Sequence, residues 1–170
     1  MRRASCQGSL VVVAGLLVTA CAGLPVGAPV PPSSGVLPAD ARALRYGASA
    51  PEVLNNRELG DGVRALFGAD WSPGAQIEFG APSFFPASSA IRMVRLGDGD
   101  YIAITGCVTS TCATHRGLLL IRQDGERLMA RLDEGGFSHY YDRGPGASAA
   151  AVPRWSIDSA WRAVERIERG

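Results

Sequence analysis

The sequence predicts an α+β domain with one central antiparallel sheet of about five strands, flanked by helices. Between residues 91 and 141, aliphatic and β-branched runs of strand length alternate with short turns rich in glycine and aspartate. Connections this short join antiparallel neighbours, because a parallel pair needs a crossover of about a dozen residues. Apolar residues at helical spacing precede and follow this stretch, which indicates helices packed on a single meander.

Turn signals separate the predicted strands. Gly97-Asp98-Gly99, Asp124-Gly125 and Glu134-Gly135-Gly136 supply the residues that hairpin turns favour. The strands are predicted over residues 91–96, 101–106, 117–122, 127–132 and 137–141, with a shorter strand at 76–79 before them.

Helical patterning covers three regions. Residues 40–46 are predicted to form a short helical segment, and a second helical region is predicted to begin at Ser49. Glycines at positions 60 and 62 each cost about 1 kcal/mol inside a helix, so the second region is predicted to break into two short helices. The last helix is predicted over residues 157–168, with Ser156 as its N-cap and an apolar stripe facing the sheet.

The first 20 residues have the features of a lipoprotein signal peptide. Two arginines precede an apolar run over residues 10–18, and Thr19-Ala20-Cys21 ends the run with small residues. Residues 18–21 resemble a bacterial lipobox, which predicts that Cys21 is acylated and becomes the first residue of the mature chain. The alternative is an ordinary secretory signal peptide, cleaved nearby, in which Cys21 is incidental.

The predicted location is the periplasmic side of a bacterial envelope, with a lipid anchor in the outer membrane. Ala22 stands where an aspartate marks inner-membrane retention in the lipoproteins that this segment resembles. Residues 21–38 comprise the lipidated cysteine and an uncharged tether rich in proline, glycine and serine, a composition typical of extended linkers. Residues 39–170 are then the folded domain.

Four cysteines are present, and cleavage of the signal peptide leaves one pair for a disulfide. Cys6 leaves with the signal and Cys21 carries lipid, so Cys107 and Cys112 remain together in an oxidising compartment. The alternative is a reduced or metal-bound pair, for which the sequence places no further ligands nearby. The resulting loop either presents a stiff binding epitope or staples the end of a hairpin.

Charge and motifs exclude several classes of function. All 17 basic residues are arginines scattered along the chain, so no basic patch predicts nucleic-acid binding. His115 and His139 lie in no metal-ligand or catalytic motif, and the sequence contains no GxSxG, Walker-type or HExxH run. We therefore predict a non-enzyme without metal or cofactor. An enzyme that uses His115 or His139 is the least favoured alternative.

Four features between residues 60 and 142 form a recognisable pattern: residues 101–107, the four-residue gap to Cys112, the aliphatic strand at 118–121 and Arg131-Leu132-Asp133-Glu134. This pattern resembles the Ivy family, the periplasmic inhibitors of vertebrate lysozyme. It implies a central antiparallel sheet flanked by helices. It also implies a disulfide-closed loop that occupies the active cleft of c-type lysozyme, and it permits a homodimer.

The loop itself departs from the family motif, which runs Cys-Lys-Pro-His-Asp-Cys. Its inner residues here are Val108, Thr109, Ser110 and Thr111, so Ser110 replaces the histidine that hydrogen-bonds the catalytic carboxylates. A hydroxyl donates a hydrogen bond but brings no positive charge. These four residues are the predicted binding loop for c-type lysozyme or another peptidoglycan-cleaving enzyme, with His115 as a further candidate. The alternative function is a structural or accessory envelope lipoprotein without inhibitory activity.

Overall fold

In the part of the chain that the structure describes, six antiparallel strands follow one another in chain order across one sheet. The computed structural model describes residues 34–97, 99–144 and 154–168. The strands are β1 (Ser34–Val36), β2 (Ala90–Leu96), β3 (Gly99–Cys107), β4 (His115–Arg122), β5 (Leu128–Glu134) and β6 (Phe137–Arg143). The predicted α+β class and the antiparallel meander are confirmed, with one strand more than the five expected.

The additional strand, β1, lies inside the segment predicted to be a tether. Ser34 pairs with Leu96 and Val36 pairs with Val94, so β1 satisfies backbone groups along the outer edge of β2. The tether prediction was therefore wrong for residues 34–36. The predicted signal peptide, Cys21 and the tether up to residue 33 lie outside the described residues.

Two further sequence predictions were wrong. Residues 76–79 form bends rather than a strand. The last helix begins at Arg154, so Ser156 lies within its first turn and is buried instead of capping it. The region after Ser49 forms two short helices, as predicted, but the break lies at residues 55–59, and Gly60 and Gly62 lie inside the second helix.

Helices both precede and follow the strands β2 to β6 along the chain. They are the helices α1 (Ala50–Leu54), α2 (Gly60–Phe67) and α3 (Arg154–Glu168), and the 3₁₀ helices Ala41–Leu44, Gly68–Trp71 and Ala81–Phe84. Within the described part of the chain, no helix is long and apolar enough to span a bilayer.

The sheet separates two hydrophobic clusters, because alternate residues of each central strand point to opposite faces. The N-terminal helices cover one face and α3 covers the other. On β4, for example, Leu119 and Ile121 join the first cluster, whereas Leu118 and Leu120 join the second with Trp161 of α3.

A pair of glycines brings the 3₁₀ helix Ala81–Phe84 onto the sheet beside the cysteine loop. Gly106 on β3 is the cross-strand partner of Gly117 on β4. A Cβ atom on Gly106 would lie 2.5 Å from the carbonyl oxygen of Phe84, and one on Gly117 would lie 2.9 Å from the Phe84 Cβ. The chain therefore needs both glycines for this close contact, which fixes the strand ends from which the loop projects.

Candidate binding site at the disulfide-closed loop

Two consecutive turns form the loop that joins β3 to β4. The Val108 N–H donates to the His115 carbonyl over 3.1 Å and extends the ladder of the two strands by one step. The Thr111 N–H then donates to the Val108 carbonyl over 2.8 Å, which closes a four-residue turn. Thr109 and Ser110 are the two corner residues of that turn, so their side chains face outward.

The second turn returns the chain to β4. Both the Thr114 and the His115 N–H groups donate to the Thr111 carbonyl, each over 2.9 Å. A disulfide joins Cys107 to Cys112 with their Cα atoms 4.9 Å apart, which confirms the predicted pairing. Covalent and hydrogen-bonded closure together leave this loop few alternative backbone conformations.

Burial divides the predicted binding residues into two groups. Thr109 and Ser110 are exposed, and Thr111 is half-buried. Val108 is only 7 % exposed and His115 only 9 %, and Val108 packs in the hydrophobic cluster beneath the N-terminal helices. A partner that docks on the loop without rearranging it therefore meets Thr109 and Ser110, whereas Val108 anchors the loop from inside.

The hairpin between β5 and β6 lies at the same end of the sheet. The Gly135 N–H donates to the Thr114 carbonyl over 3.2 Å and ties this hairpin to the loop. Phe137, the first residue of β6, is 75 % exposed, which is unusual for so large an apolar side chain. We call Thr109, Ser110, Ala113 and Phe137, all exposed, the tip surface.

Sequence reasoning missed Phe137 because strand alternation says only which residues share a face. The pairing of Phe137 with Glu134 places it at the open end of the hairpin, where no helix covers it. An aromatic residue directly after the Gly-Gly turn was the available signal.

The tip surface carries no charged residue. Arg116, one residue into β4, lies on the other face of the sheet, where it pairs with Glu165 and stacks 5.3 Å from the ring centroid of Trp161. The tip surface therefore offers hydroxyl donors and an aromatic ring, but none of its four residues is a cation.

A cavity of about 260 Å³ lies behind the disulfide, on the face covered by α3. Its lining includes both cysteines, Trp161 and the Arg116–Glu165 pair. None of the four residues of the tip surface lines this cavity, so the cavity adds nothing to the outward-facing contact area of the loop.

The two histidines are held in separate environments. The His115 ring lies edge-on to Phe79, with centroids 5.2 Å apart, and its Nδ1 atom is 2.8 Å from the Thr114 hydroxyl. His139 is half-buried on β6, where it pairs with Leu132 on β5, so β5 separates it from the strand that carries His115. The structure does not bring the two histidines together.

A buried carboxylate fixes the segment that packs beside His115. Asp70, 4 % exposed, accepts hydrogen bonds from the Gln76 N–H over 2.8 Å and from the Tyr141 hydroxyl over 2.9 Å. Burial, followed by this hydrogen bond to Asp70, raises the pKa of Tyr141 well above its usual range, so its hydroxyl stays protonated and donates. Asp70 was not predicted from the sequence, because its partner Tyr141 lies far away in the chain.

The lipid anchor and the resemblance to the Ivy inhibitors stay predictions. Cys21 lies outside the described residues, and the tip surface is consistent with several kinds of protein partner. No protein-family model, curated protein or solved structure matches this chain.

Proposed function

We propose that this chain is a lipid-anchored, Ivy-like envelope protein that binds c-type lysozyme or another peptidoglycan-cleaving enzyme through its tip surface. The observation that supports the proposal most is the doubly closed loop with Thr109 and Ser110 at its corner. The anchor at Cys21 holds the domain on the periplasmic side of the envelope, where such enzymes act on the cell wall.

Rigidity makes the loop suitable for insertion into a cleft. A flexible loop pays about 0.5–1.5 kcal/mol for each side chain that binding immobilises, in addition to the ordering of its backbone. Here the disulfide, four backbone hydrogen bonds within residues 108–115 and the buried Val108 have already ordered the backbone. More of the contact energy is therefore available for affinity.

The chemistry of the tip surface suits an acidic cleft with an apolar rim. The Thr109 and Ser110 hydroxyls are hydrogen-bond donors for carboxylates, such as the pair that catalyses glycoside hydrolysis. Phe137 supplies an aromatic anchor of the kind that dominates binding energy in protein interfaces. Because no cation is present, we expect inhibition of lysozyme to be weaker than with a histidine at position 110.

A gain-of-function variant gives the sharpest test. Ser110→His restores the histidine of the family motif at an exposed corner, and Ala65→His adds a histidine at an exposed position of α2 as a matched control. A charge-assisted hydrogen bond contributes about 1–1.5 kcal/mol more than a neutral one, which corresponds to about tenfold in affinity. The measurement is the inhibition constant for lysis of a cell-wall suspension by c-type lysozyme.

We expect measurable inhibition by the unmodified chain, about tenfold stronger inhibition by Ser110→His and no change with Ala65→His. Failure of both the unmodified chain and Ser110→His to inhibit at high micromolar concentration removes c-type lysozyme as the target. If partners captured from envelope extract bind equally well after replacement of residues 109–110, the loop is a structural staple, as in the alternative function.

A further inference from the structure

We propose that Glu78, His115 and Glu134 form a binding site for a divalent transition-metal ion such as Zn²⁺. One ligand atom from each residue lies within 4.8 Å of the ligand atoms of the other two. The three side chains come from three parts of the fold: the segment between two 3₁₀ helices, the start of β4 and the end of β5. Only the tertiary structure brings these residues together, and no sequence motif predicts the site.

The hydrogen bonding of His115 leaves one ring nitrogen for a metal. The Thr114 hydroxyl lies 3.4 Å from the Thr111 carbonyl, to which it donates, and 2.8 Å from His115 Nδ1, so in the tautomer protonated at Nδ1 the ring donates to this hydroxyl. The other nitrogen, Nε2, lies 3.6 Å from Glu134 Oε1, which is too far for a hydrogen bond. Anchoring one imidazole nitrogen while the other faces carboxylates is the usual arrangement of a metal-binding histidine.

The Glu134 carboxylate and the backbone of Glu78 are held in place by their surroundings. Glu134 is the cross-strand partner of His115, and its Oε1 accepts the Glu78 N–H over 2.8 Å. Glu78 follows Ile77, which is almost fully buried, and precedes Phe79, which packs on the His115 ring. The segment that carries Glu78 is therefore fixed before any ion binds, which lowers the cost of assembling the site.

The donor set selects the class of ion. An imidazole nitrogen with two carboxylates suits Zn²⁺ and its first-row neighbours, whereas Mg²⁺ and Ca²⁺ prefer oxygen ligands alone. Two negative charges neutralise a divalent cation in this partly buried site. Three protein ligands leave the fourth tetrahedral position open to solvent, because Glu78 is exposed.

Titration with Zn²⁺ alone tests the site. The full chain, carrying Cys6→Ser and Cys21→Ser to remove competing thiols and lacking a polyhistidine tag, is stripped with chelator and titrated by calorimetry. We expect one Zn²⁺ per chain and no binding of Mg²⁺ at the same concentration. Glu78→Gln and His115→Gln should each weaken Zn²⁺ affinity at least about tenfold, and Thr114→Val should weaken it about 10–100-fold by releasing the ring.

His139→Gln is the matched control, since it removes the only other histidine of the chain, and it should leave the affinity unchanged. Glu78→Gln alters an exposed side chain, so it decides the test if His115→Gln fails to fold. Absence of Zn²⁺ binding at millimolar concentration, or equal affinity of Glu78→Gln and the parent chain, overturns the proposal.

Discussion

Removal of the disulfide should destabilise the domain without unfolding the loop. The perturbation is the double variant Cys107→Ser, Cys112→Ser, in the same background that lacks the thiols of Cys6 and Cys21. Closing a loop with a sequence separation of 5 removes chain entropy worth about 2 kcal/mol from the unfolded state. For a domain of this size, that loss corresponds to a melting temperature about 6–12 °C lower.

The loop should survive because other interactions hold it. Full burial of a valine side chain contributes about 1.5–3 kcal/mol, and Val108 is buried in the larger hydrophobic cluster. The amides of Thr111 and His115 both donate to carbonyls within the two turns. Opening the loop alone therefore costs the burial of Val108 as well as these hydrogen bonds.

Amide hydrogen exchange, measured by NMR beside the thermal transition, separates the two effects. In the double variant, we expect Thr111 and His115 to lose no more than about 30-fold in protection, the factor that corresponds to about 2 kcal/mol. Leu119, in the centre of β4, should lose protection to a similar degree, and chemical reduction of the parent chain should reproduce the variant. Full loss of protection at Thr111 and His115, with Leu119 still protected, would show that the bridge alone orders the loop and refute this reasoning.

Three further predictions concern the core, the close contact beside the loop and the anchor. Asp70→Ala removes the acceptor for two buried donors and should lower the free energy of unfolding by about 2–4 kcal/mol in urea titrations. The exposed control Asp61→Ala should cost no more than about 1 kcal/mol, and equal effects would contradict the role given to Asp70. Gly117→Ala forces a Cβ against Phe84 and should cost about 1–3 kcal/mol by the same assay, whereas Gly35→Ala, with open space around it, should cost less than about 0.5 kcal/mol. Cys21→Ala should move the protein from the membrane to the soluble periplasmic fraction, and unchanged fractionation would rule out the lipid anchor.

The strands that the sequence predicted well are those whose patterns are local. β2 to β5 contain aliphatic residues between turn signals, and β6 places aromatic residues directly after a Gly-Gly turn, so short-range information defines these strands. β1 was missed because its Ser-Gly-Val composition suits a linker, and only the open edge of β2 makes it a strand. Residues 76–79 look like a strand, but the hydrogen bond from Gln76 to Asp70 holds that segment as a series of bends.

The candidate site was predicted in outline only. The number of cysteines was enough to predict the closure of the loop, because this prediction does not depend on the direction in which any side chain points. Which loop residues face outward depends on turn geometry, so Val108 and Ser110 were both predicted to bind a partner, although Val108 is buried and Ser110 is exposed. The approach of Glu78 to His115 and Glu134 depends on strand register and on a folded segment far away in the chain.

Direct binding of c-type lysozyme to the immobilised chain tests the central claim most directly. Ser110→Asp places a carboxylate at the exposed corner, where it would face the carboxylates of the enzyme, and Ala65→Asp adds the same charge on α2. Opposed like charges cost several kcal/mol in an interface, so we expect Ser110→Asp to weaken binding by about 100-fold or more. Ala65→Asp should bind like the parent chain. Equal affinity of the parent chain and Ser110→Asp, or no binding by the parent chain, would contradict recognition of lysozyme by the tip surface.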